Sequence, residues 1–400
     1  MSPHDQQALP LAGVRVIEFV HMVMGPTCGL LLADLGAEVI KVEPVPEGDN
    51  TRRLMGSGAG YWMTYNRNKK SFAVDIKSAE GMEAVRKLLA TADVVTENFR
   101  PGAMEKLGLG YEQVKAIKPD IIYSSMKGFL PGPYEKRTAL DEVVQMMTGL
   151  AYMTGPVGRP LRAGASVNDV MGGMFSAVSI LAALLQRKDS GQGQFVQTGL
   201  FENSAFLVGQ HMMQKVVTGK AAAPMPSRIS AWAIYDVFET AEADQQVFIG
   251  VVSDSQWESF CRAFDFSDLG NDPELARNNQ RVEAREWLMP KVRARIATMT
   301  KASVMSLCEE AGLPFSPIQR PEDLFDDRHL NESCGLAELT LANGDAVKVP
   351  MLPFEMNGRR LGTRLNVPDL GSHSRDLLGE LGYDNEAIAR LEASGTVKSS

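Results

Sequence analysis

Strand-like and helix-like stretches alternate through the first 125 residues, and this alternation constrains the fold more than any other feature. Strand-like runs at residues 14–19, 37–43, 93–97 and 120–125 are separated by helix-like stretches at 29–35, 81–90 and 111–118. Successive strand–helix units build parallel sheets, because each helix carries the chain back to the start of the next strand. We therefore predict an α/β fold whose large, Rossmann-like domain is a parallel sheet with flanking helices.

The second half of the chain has a different pattern. A long helical pattern at 169–187, a strand-like run at 195–200 and a second helix at 202–217 lead into an Ala/Pro/Met/Ser-rich stretch at 220–227. Paired strand-like runs and short amphipathic helices follow, which are typical of a smaller α+β domain. We expect a large domain at 1–225, a small domain at 226–330, and a Pro/Gly-punctuated segment at 331–400 that returns to the large domain.

Charge and composition exclude several classes of function. The 400 residues are 44% hydrophobic and carry a formal net charge of −8, which argues against nucleic acid as a partner. The first ten residues contain no apolar run, and apolar stretches such as 178–185 are much shorter than the roughly 20 residues of a membrane span. We expect a cytoplasmic protein that does not enter a membrane.

The sequence also lacks the common motifs for metals, nucleotides and hydrolysis. Its four cysteines and five histidines are scattered without metal-ligand spacing, so no metal site is expected. The glycines after the first strand, Gly25 and Gly29, do not form the GxGxxG of a dinucleotide site, and there is no GxSxG. Carboxylate chemistry close to glycine remains.

Several segments together resemble one family. They are LAGVRVIEF at 11–19, Gly25-Pro26, LADLGAEVIKVEP at 32–44, NRNKKS at 66–71, DVVTENFRPG at 93–102 and GQGQ at 191–194. These segments resemble the class III coenzyme A transferases, the formyl-CoA transferase and carnitine CoA-transferase family. The likeness is dense from 11 to 204 and sparse after 220, and it implies that residues 1–225 form a CoA-binding domain.

The resemblance implies that Asp169, in VNDVMGGM at 167–174, is the nucleophile. A carboxylate at a helix start lies in a favourable field, so we expect it to be ionised at neutral pH. Gly172 and Gly173 would leave room for a thioester and offer backbone N–H groups to the oxyanion. Asp141 is a possible helper. From the residues alone, Asp169 and Asp141 could equally be ordinary helix-start residues.

The implied reaction passes through an aspartyl anhydride and an aspartyl-CoA thioester. Acyl-CoA and a free carboxylic acid are then the partners, coenzyme A is the carrier, and no further cofactor is needed. The resemblance also implies an interlocked homodimer.

Coenzyme A carries phosphates, which call for cations and backbone donors. By resemblance its contacts fall at Val74, Asp75, Ile76, Lys77, Asn98, Phe99, Arg100, Lys106 and Arg137. The chain departs from some family members at Val23 and Pro44, which replace a glutamine and an arginine. It also lacks a four-glycine run between 220 and 252, so oxalate and formate are not expected substrates.

A second carboxylate on the acyl group could be bound by arginine or histidine. Arg137, Arg159 and Arg162 precede Asp169, and His21 precedes Gly25-Pro26. We therefore hypothesise small dicarboxylic acids, such as succinate or mesaconate, as substrates.

Two alternatives stay open. α-Methylacyl-CoA racemases share this fold and use a His and an Asp across the substrate α-carbon. The histidine position falls at about Leu140, and no other base replaces it. The second alternative is a non-catalytic acyl-CoA binding protein.

Overall fold

The computed structural model describes residues 9–228, 230–341 and 344–399. Within these residues the chain divides into two compact units. The larger unit comprises the described parts of Met1–Pro226 and His329–Ser400, and the smaller unit comprises those of Ser227–Arg328.

A mostly parallel sheet forms the centre of the larger unit. Its first six strands are β1 Arg15–Phe19, β2 Glu38–Glu43, β3 Lys69–Val74, β4 Val94–Glu97, β5 Ile122–Lys127 and β6 Gln194–Gly199. They pair in parallel in the order β3-β2-β1-β4-β5-β6. The register places Ile17 of β1 between Ile40 of β2 and Val95 of β4. The α/β prediction is confirmed.

Nine helices accompany these strands within the described residues. They are α1 Met24–Asp34, α2 Tyr61–Tyr65, α3 Ala79–Ala90, α4 Ala103–Lys106, α5 Tyr111–Ile117, α6 Asp141–Thr148, α7 Leu150–Thr154, α8 Val167–Ser190 and α9 Leu200–Thr218. Short 3-10 turns occur at Asn50–Arg53, Gly56–Gly58 and Met225–Ser227.

Helices cover both faces of the sheet, because successive strand residues point to opposite sides. Ile17 belongs to the hydrophobic cluster that contains Val85 and Leu88 of α3. Its neighbour Val16 belongs to the cluster that contains Leu32 of α1 and Ile180 of α8. Burial on both faces explains why the strands read as apolar runs in the sequence.

Strand β3 was not predicted from the sequence, because it begins with two lysines. Lys69 is nevertheless fully buried, and its ammonium group lies 2.9 Å from a carboxylate oxygen of Glu18 on β1. A buried charge is tolerated only when it is paired, and the pairing partner here is 51 residues away in sequence. No local pattern could reveal it.

The smaller unit has an antiparallel sheet covered by helices. Its strands are β7 Tyr235–Glu239, β8 Gln246–Gly250 and β9 Phe315–Pro317, in the order β7-β8-β9. Its helices are α10 Asp254–Ala263, α11 Ser267–Gly270, α12 Asn278–Glu283, α13 Arg285–Ile296 and α14 Lys301–Glu310, with 3-10 turns at Pro273–Leu275 and Pro321–Phe325. Phe238, Trp257 and Phe260 are central to its core. This is the predicted α+β architecture.

The end of the chain belongs to the larger unit and completes its sheet. It forms α15 Arg328–Glu332, the hairpin β10 Leu336–Thr340 and β11 Ala346–Pro350, α16 Ser374–Glu380, α17 Asn385–Ala393 and β12 Val397–Lys398. β12 pairs antiparallel with β3. Before it, the backbone N–H groups of Arg364 and Leu365 donate to the side chain of Asn68.

Helix α8 is, among the described residues, the single helix long and apolar enough to cross a membrane, judged by length and composition alone. Core helices of water-soluble proteins pass the same test. α8 packs along α1 and contributes Ala177 and Ile180 to the core, so this likeness is weak evidence for a membrane span.

Candidate active site

The carboxyl ends of the parallel strands and the first turns of α1 and α8 meet at one edge of the large sheet. Both helices lead back to the start of a parallel strand, α1 to β2 and α8 to β6, so both must begin where the strands end. Open α/β sheets bind ligands at this edge. Asp169, the third residue of α8, therefore lies at the expected place for a site.

Gly172 and Gly173 bring α8 into close contact with α1. A Cβ atom on Gly172 would lie 2.5 Å from Cε of Met24, and one on Gly173 would lie 2.6 Å from Cβ of Thr27. Their N–H groups lie beyond the first four of the helix, where amides bond within the helix. The two glycines thus serve the packing of α8 on α1, and the roles predicted for them toward a thioester and an oxyanion stay predictions.

Asp141 holds the first turn of α8. One oxygen, Oδ2, accepts the backbone N–H of Asn168 at 2.8 Å and that of Asp169 at 3.2 Å. The other oxygen accepts a hydrogen bond from the buried side chain of Gln145, which in turn accepts the N–H of Ala163 at 2.8 Å. Asp141 thus fixes the backbone of Asp169 and has both oxygens engaged.

The carboxyl group of Asp169 has an unusual environment. Its pKa is raised to about 7, mainly by burial and also by the nearby charge of Asp141, while the charge of Arg162 opposes the change. The expected favourable field at the helix start is therefore outweighed, and the expectation of full ionisation at neutral pH is corrected. Within the described residues no donor hydrogen-bonds to this carboxyl, which leaves its oxygens open to another molecule.

A cavity of about 290 Å³ lies at the ends of β1, β2 and β3. Five of the predicted CoA contacts line it, namely Val74, Asp75, Ile76, Lys77 and Phe99. The other lining residues are Phe19, Val42, Glu43, Pro44, Val45, Met104 and Leu107. Pro44, where some family members have arginine, adds to a mainly apolar wall that suits a flat ring. Lys77 is the cation on its lining.

The remaining predicted CoA contacts have different surroundings. Asn98 uses its side-chain amide on the backbone of His21, accepting at 3.0 Å and donating at 2.9 Å. Arg100 and Lys106 are exposed on the surface after β4. Arg137 is exposed and lies 4.6 Å from the ring centre of Tyr134. The structure therefore brings five of the predicted contacts together at the cavity, and Arg100, Lys106 and Arg137 are not on its lining.

His21 connects this cavity to the helix starts. Its ring centre lies 5.3 Å from that of Phe99, which lines the cavity. Its Nδ1 atom is buried without a hydrogen-bond partner among the described residues. Burial lowers the pKa of His21 and Asp49 opposes the change, so the ring is neutral at pH 7.

The three arginines predicted for substrate binding differ in their contacts. Arg162 lies 3.0 Å from a carboxylate oxygen of Glu142 and 3.8 Å from one of Asp141. Arg159 is exposed and has no ion pair in the described part of the chain, and Arg137 stacks on Tyr134. Of the three, Arg162 is engaged by α6 and Arg159 is free to meet a ligand.

Helix α2 supplies two residues that the sequence analysis missed. The hydroxyl of Tyr61 lies 3.4 Å from that of Ser166, directly before α8. Burial raises the pKa of Tyr65, and the charges of Tyr61 and Asp169 add to this effect. The aromatic content of YWMTY at 61–65 was the available signal, but only the fold shows that it borders Asp169.

Comparison with known proteins places the chain in one family. Residues 11–374 match the family described as CoA-transferase family III. Succinyl-CoA:glutarate CoA-transferase of Mus musculus is 33% identical over 97% of this chain and 90% of its own length. Succinyl-CoA:mesaconate CoA-transferase of Haloarcula hispanica is 32% identical over 93% of this chain and 96% of its own length.

A solved structure agrees with the sequence relatives. The CAIB/BAIF family protein from Brucella suis superimposes with a TM-score of 0.83 and 32% identity, over 94% of this chain and 100% of that one. The chain belongs to CoA-transferase family III and is an enzyme of that family.

Proposed function

We propose that this enzyme moves coenzyme A between small dicarboxylic acids, with Asp169 as the nucleophile. The observation that carries the proposal is the state of that residue. Asp141 fixes its backbone through two N–H groups, while its own carboxyl accepts no hydrogen bond within the described residues. A carboxylate whose backbone is fixed, but whose oxygens accept no hydrogen bond from the protein, is suited to attack a carbonyl carbon.

The first half of the reaction builds a covalent adduct. An oxygen of Asp169 attacks the thioester carbonyl of the donor, the C–S bond breaks, and a mixed anhydride and CoA thiolate form. The thiolate then attacks the aspartyl carbonyl, and the bond between that aspartyl carbon and the bridging oxygen breaks. The donor acid leaves as a carboxylate, and an aspartyl-CoA thioester remains.

The second half reverses these steps with another acid. The acceptor carboxylate attacks the aspartyl-CoA carbonyl, expels the thiolate and forms a second anhydride. The thiolate attacks the acceptor's acyl carbonyl, which releases the new thioester and restores Asp169. Protons balance without an external acid or base, and the scheme uses coenzyme A as its carrier with no further cofactor.

Oxyanions form at each attack and need donors. The first-turn amides of Asn168 and Asp169 already donate to Asp141, and those of Gly172 and Gly173 lie inside the helix. We therefore assign this role to α2, whose Tyr61 hydroxyl lies beside Ser166. Removing one oxyanion donor commonly costs about 3–4 kcal/mol of transition-state stabilisation.

The cavity at the carboxyl edge is the proposed site of the adenine end of coenzyme A. The apolar wall formed by Val74, Ile76 and Phe99 suits the adenine ring, and Lys77 provides a cation for a phosphate. The exposed Arg100 and Lys106 follow Phe99 in the chain. From this cavity the thiol end has to pass His21 to reach Asp169.

The dicarboxylate specificity rests on the relatives and on one arginine. The similar enzymes named above act on succinyl-CoA with glutarate or mesaconate. Arg159 is exposed and lacks an ion pair among the described residues, so it can bind a second carboxylate. No feature found in the structure favours racemase activity, since Leu140 occupies the place of the histidine and is 66% exposed.

The assembly and location are also proposed. Apolar side chains stand exposed along α8 and α9, among them Val178, Leu185, Phe206, Val216 and Val217. Exposed apolar patches of this kind mark interfaces, and we propose that a second copy covers them in an interlocked homodimer. Cys28, Cys261, Cys308 and Cys334 are free thiols, which supports a reducing compartment such as the cytoplasm.

The test is an assay of transfer with an adduct measurement. We expect the enzyme to form CoA esters of glutarate, mesaconate or related dicarboxylates from succinyl-CoA. Mass spectrometry after incubation with succinyl-CoA should place an adduct at Asp169, which hydroxylamine converts to a hydroxamate. Transfer restricted to monocarboxylates would contradict the substrate class, and an adduct at another residue would contradict the mechanism.

A further inference from the structure

Residues 20–26 connect β1 to the first turn of α1, and we call them the connecting segment. Side chains from four other parts of the chain bond to its backbone. Lys41 donates to the carbonyl of Val20 at 2.6 Å, Asn98 pairs with both backbone groups of His21, Thr51 accepts the N–H of Met22 at 2.9 Å, and Lys69 donates to the carbonyl of Pro26 at 3.0 Å.

The connecting segment lies between the cavity and the nucleophile. At one end, the ring of His21 contacts Phe99 on the cavity wall. At the other end, Met24 contacts α8 at Gly172, one turn after Asp169. A ligand that spans from the cavity to Asp169 therefore runs along this segment.

Stability alone is a poor explanation for these contacts. The side chains of Lys41 and Lys69 are completely buried, and removing charges from water carries a desolvation penalty. Apolar side chains of similar size commonly stabilise a core as well or better. What the polar contacts add is a fixed backbone position, and a transfer reaction needs that.

We propose that Asn98 is a positioning residue for the transfer reaction and acts through the backbone of His21. The inference rests on the proposed function. The thioester carbonyl must approach the Asp169 oxygen to about 3–3.5 Å in line, and a misplacement of about 1 Å can cost about 100-fold in rate. Asn98 fixes both the N–H and the carbonyl of His21. It therefore fixes the middle of the connecting segment, along which the thioester would lie.

The chain contains a matched control for this test. Asn366 makes the same two-point contact elsewhere: its Oδ1 accepts the N–H of Thr340 at 3.2 Å, and its Nδ2 donates to the carbonyl of Thr340 at 2.7 Å. Asn98→Ala and Asn366→Ala therefore delete equivalent hydrogen bonds. Asn98→Asp is isosteric and keeps the acceptor for His21 N–H, but it replaces the donor by a carboxylate oxygen and adds a negative charge.

The experiment measures three quantities on the full-length enzyme: the rate of adduct formation by rapid quench and mass spectrometry, KM for succinyl-CoA, and Tm. We expect Asn98→Ala to slow adduct formation at least about tenfold and to change KM less than about threefold. Asn98→Asp should lie between this variant and the wild type. Asn366→Ala should keep the wild-type rate and KM.

Other outcomes would overturn the inference. If Asn98→Ala forms the adduct as fast as Asn366→Ala, the contact is structural only. If it raises KM and leaves the rate at saturation unchanged, Asn98 contacts coenzyme A instead of positioning the segment. A wild-type enzyme without an adduct at Asp169 would refute the proposed function itself, and this result is separate because it needs no variant.

Discussion

The charges around Lys69 and those around Asp169 are buried in the same unit but arranged in opposite ways. Lys69 lies 2.9 Å from Glu18, and Lys41 lies 2.9 Å from Asp49, so each ammonium has a carboxylate partner. For Asp169 the largest charge effect instead comes from another carboxylate, Asp141, and the opposing effect of Arg162 is smaller. The first arrangement fixes the backbone. The second disfavours the ionised form of the Asp169 carboxyl, and formation of a neutral covalent adduct would remove that unfavourable charge.

The largest expected effect separates the two sites by activity. Asp169→Asn removes the attacking oxygen and should lower transfer at least about 1,000-fold, as expected when a nucleophile is lost. A steady-state assay with succinyl-CoA and glutarate measures it. Asp189→Asn, at the exposed end of the same helix, is the control and should retain full activity. Comparable losses in both variants would contradict the assignment of Asp169.

The next effect concerns stability at the paired site. Lys69→Met leaves the buried Glu18 with only the more distant ammonium of Lys41, at 3.9 Å, and should lower the free energy of unfolding by about 3–5 kcal/mol. Lys70→Met is the neighbouring control: its ammonium pairs with Glu38 at the partly exposed edge, so the loss should stay below about 1 kcal/mol. Urea unfolding followed by circular dichroism measures both.

A double variant sharpens this second prediction. Glu18→Gln with Lys69→Met removes one charge of each sign and should recover most of the lost stability. If the double variant is as unstable as Lys69→Met, the cost comes from lost packing and not from a buried carboxylate that has lost its nearer partner.

The same contrast explains which features the sequence could predict. Strands that are buried on both faces have continuous apolar sequences, so β1, β2, β4 and β5 could be predicted from the residues alone. β3 was not, since Lys69 is made compatible with burial by Glu18, which only the folded sheet brings close. Local sequence patterns indicate which residues are buried or exposed. They do not indicate which distant residues form ion pairs in the folded protein.

The site shows the same division. The resemblance pointed to Asp169 and to the cavity residues Val74 to Lys77, because both lie in short motifs. The contacts of Gly172 and Asn98 are made with α1 and His21, which are distant in sequence, so no local pattern could predict them. The pKa of Asp169 likewise depends on burial and on Asp141, and neither can be read from a helix start.

A smaller effect follows from the raised pKa of Asp169. An unfolded chain ionises this carboxyl near its ordinary pKa of 3.8, whereas the folded protein does so near 7. The unfolded state therefore binds fewer protons between these values, and folding stability falls as pH rises through this window. Above pH 7 the penalty is complete. It should amount to about 1–2 kcal/mol once screening of the partly exposed group is allowed for.

Asp169→Asn lacks this penalty and gives the measurement. Its stability advantage over the wild type should be small at pH 4 and should grow to its full value by pH 8. Urea unfolding of both proteins across this range tests the sign. A constant difference at all pH values would show that the folded and unfolded proteins ionise Asp169 alike, which would contradict the contrast between the two charge sites.

The smallest effect isolates the contribution of Asp141. Asp141→Asn keeps an oxygen to accept the N–H groups of Asn168 and Asp169 but loses the negative charge, so the pKa of Asp169 should fall. Attack requires the ionised form, and adduct formation in the wild type should rise with pH through about 7. In the variant this midpoint should move to lower pH by less than about one unit, because burial is the larger cause and remains. The exposed Glu135→Gln should leave it in place. A midpoint that moves to higher pH would mean that Asp141 stabilises the ionised form of Asp169. The two carboxyl groups would then not oppose each other's ionisation.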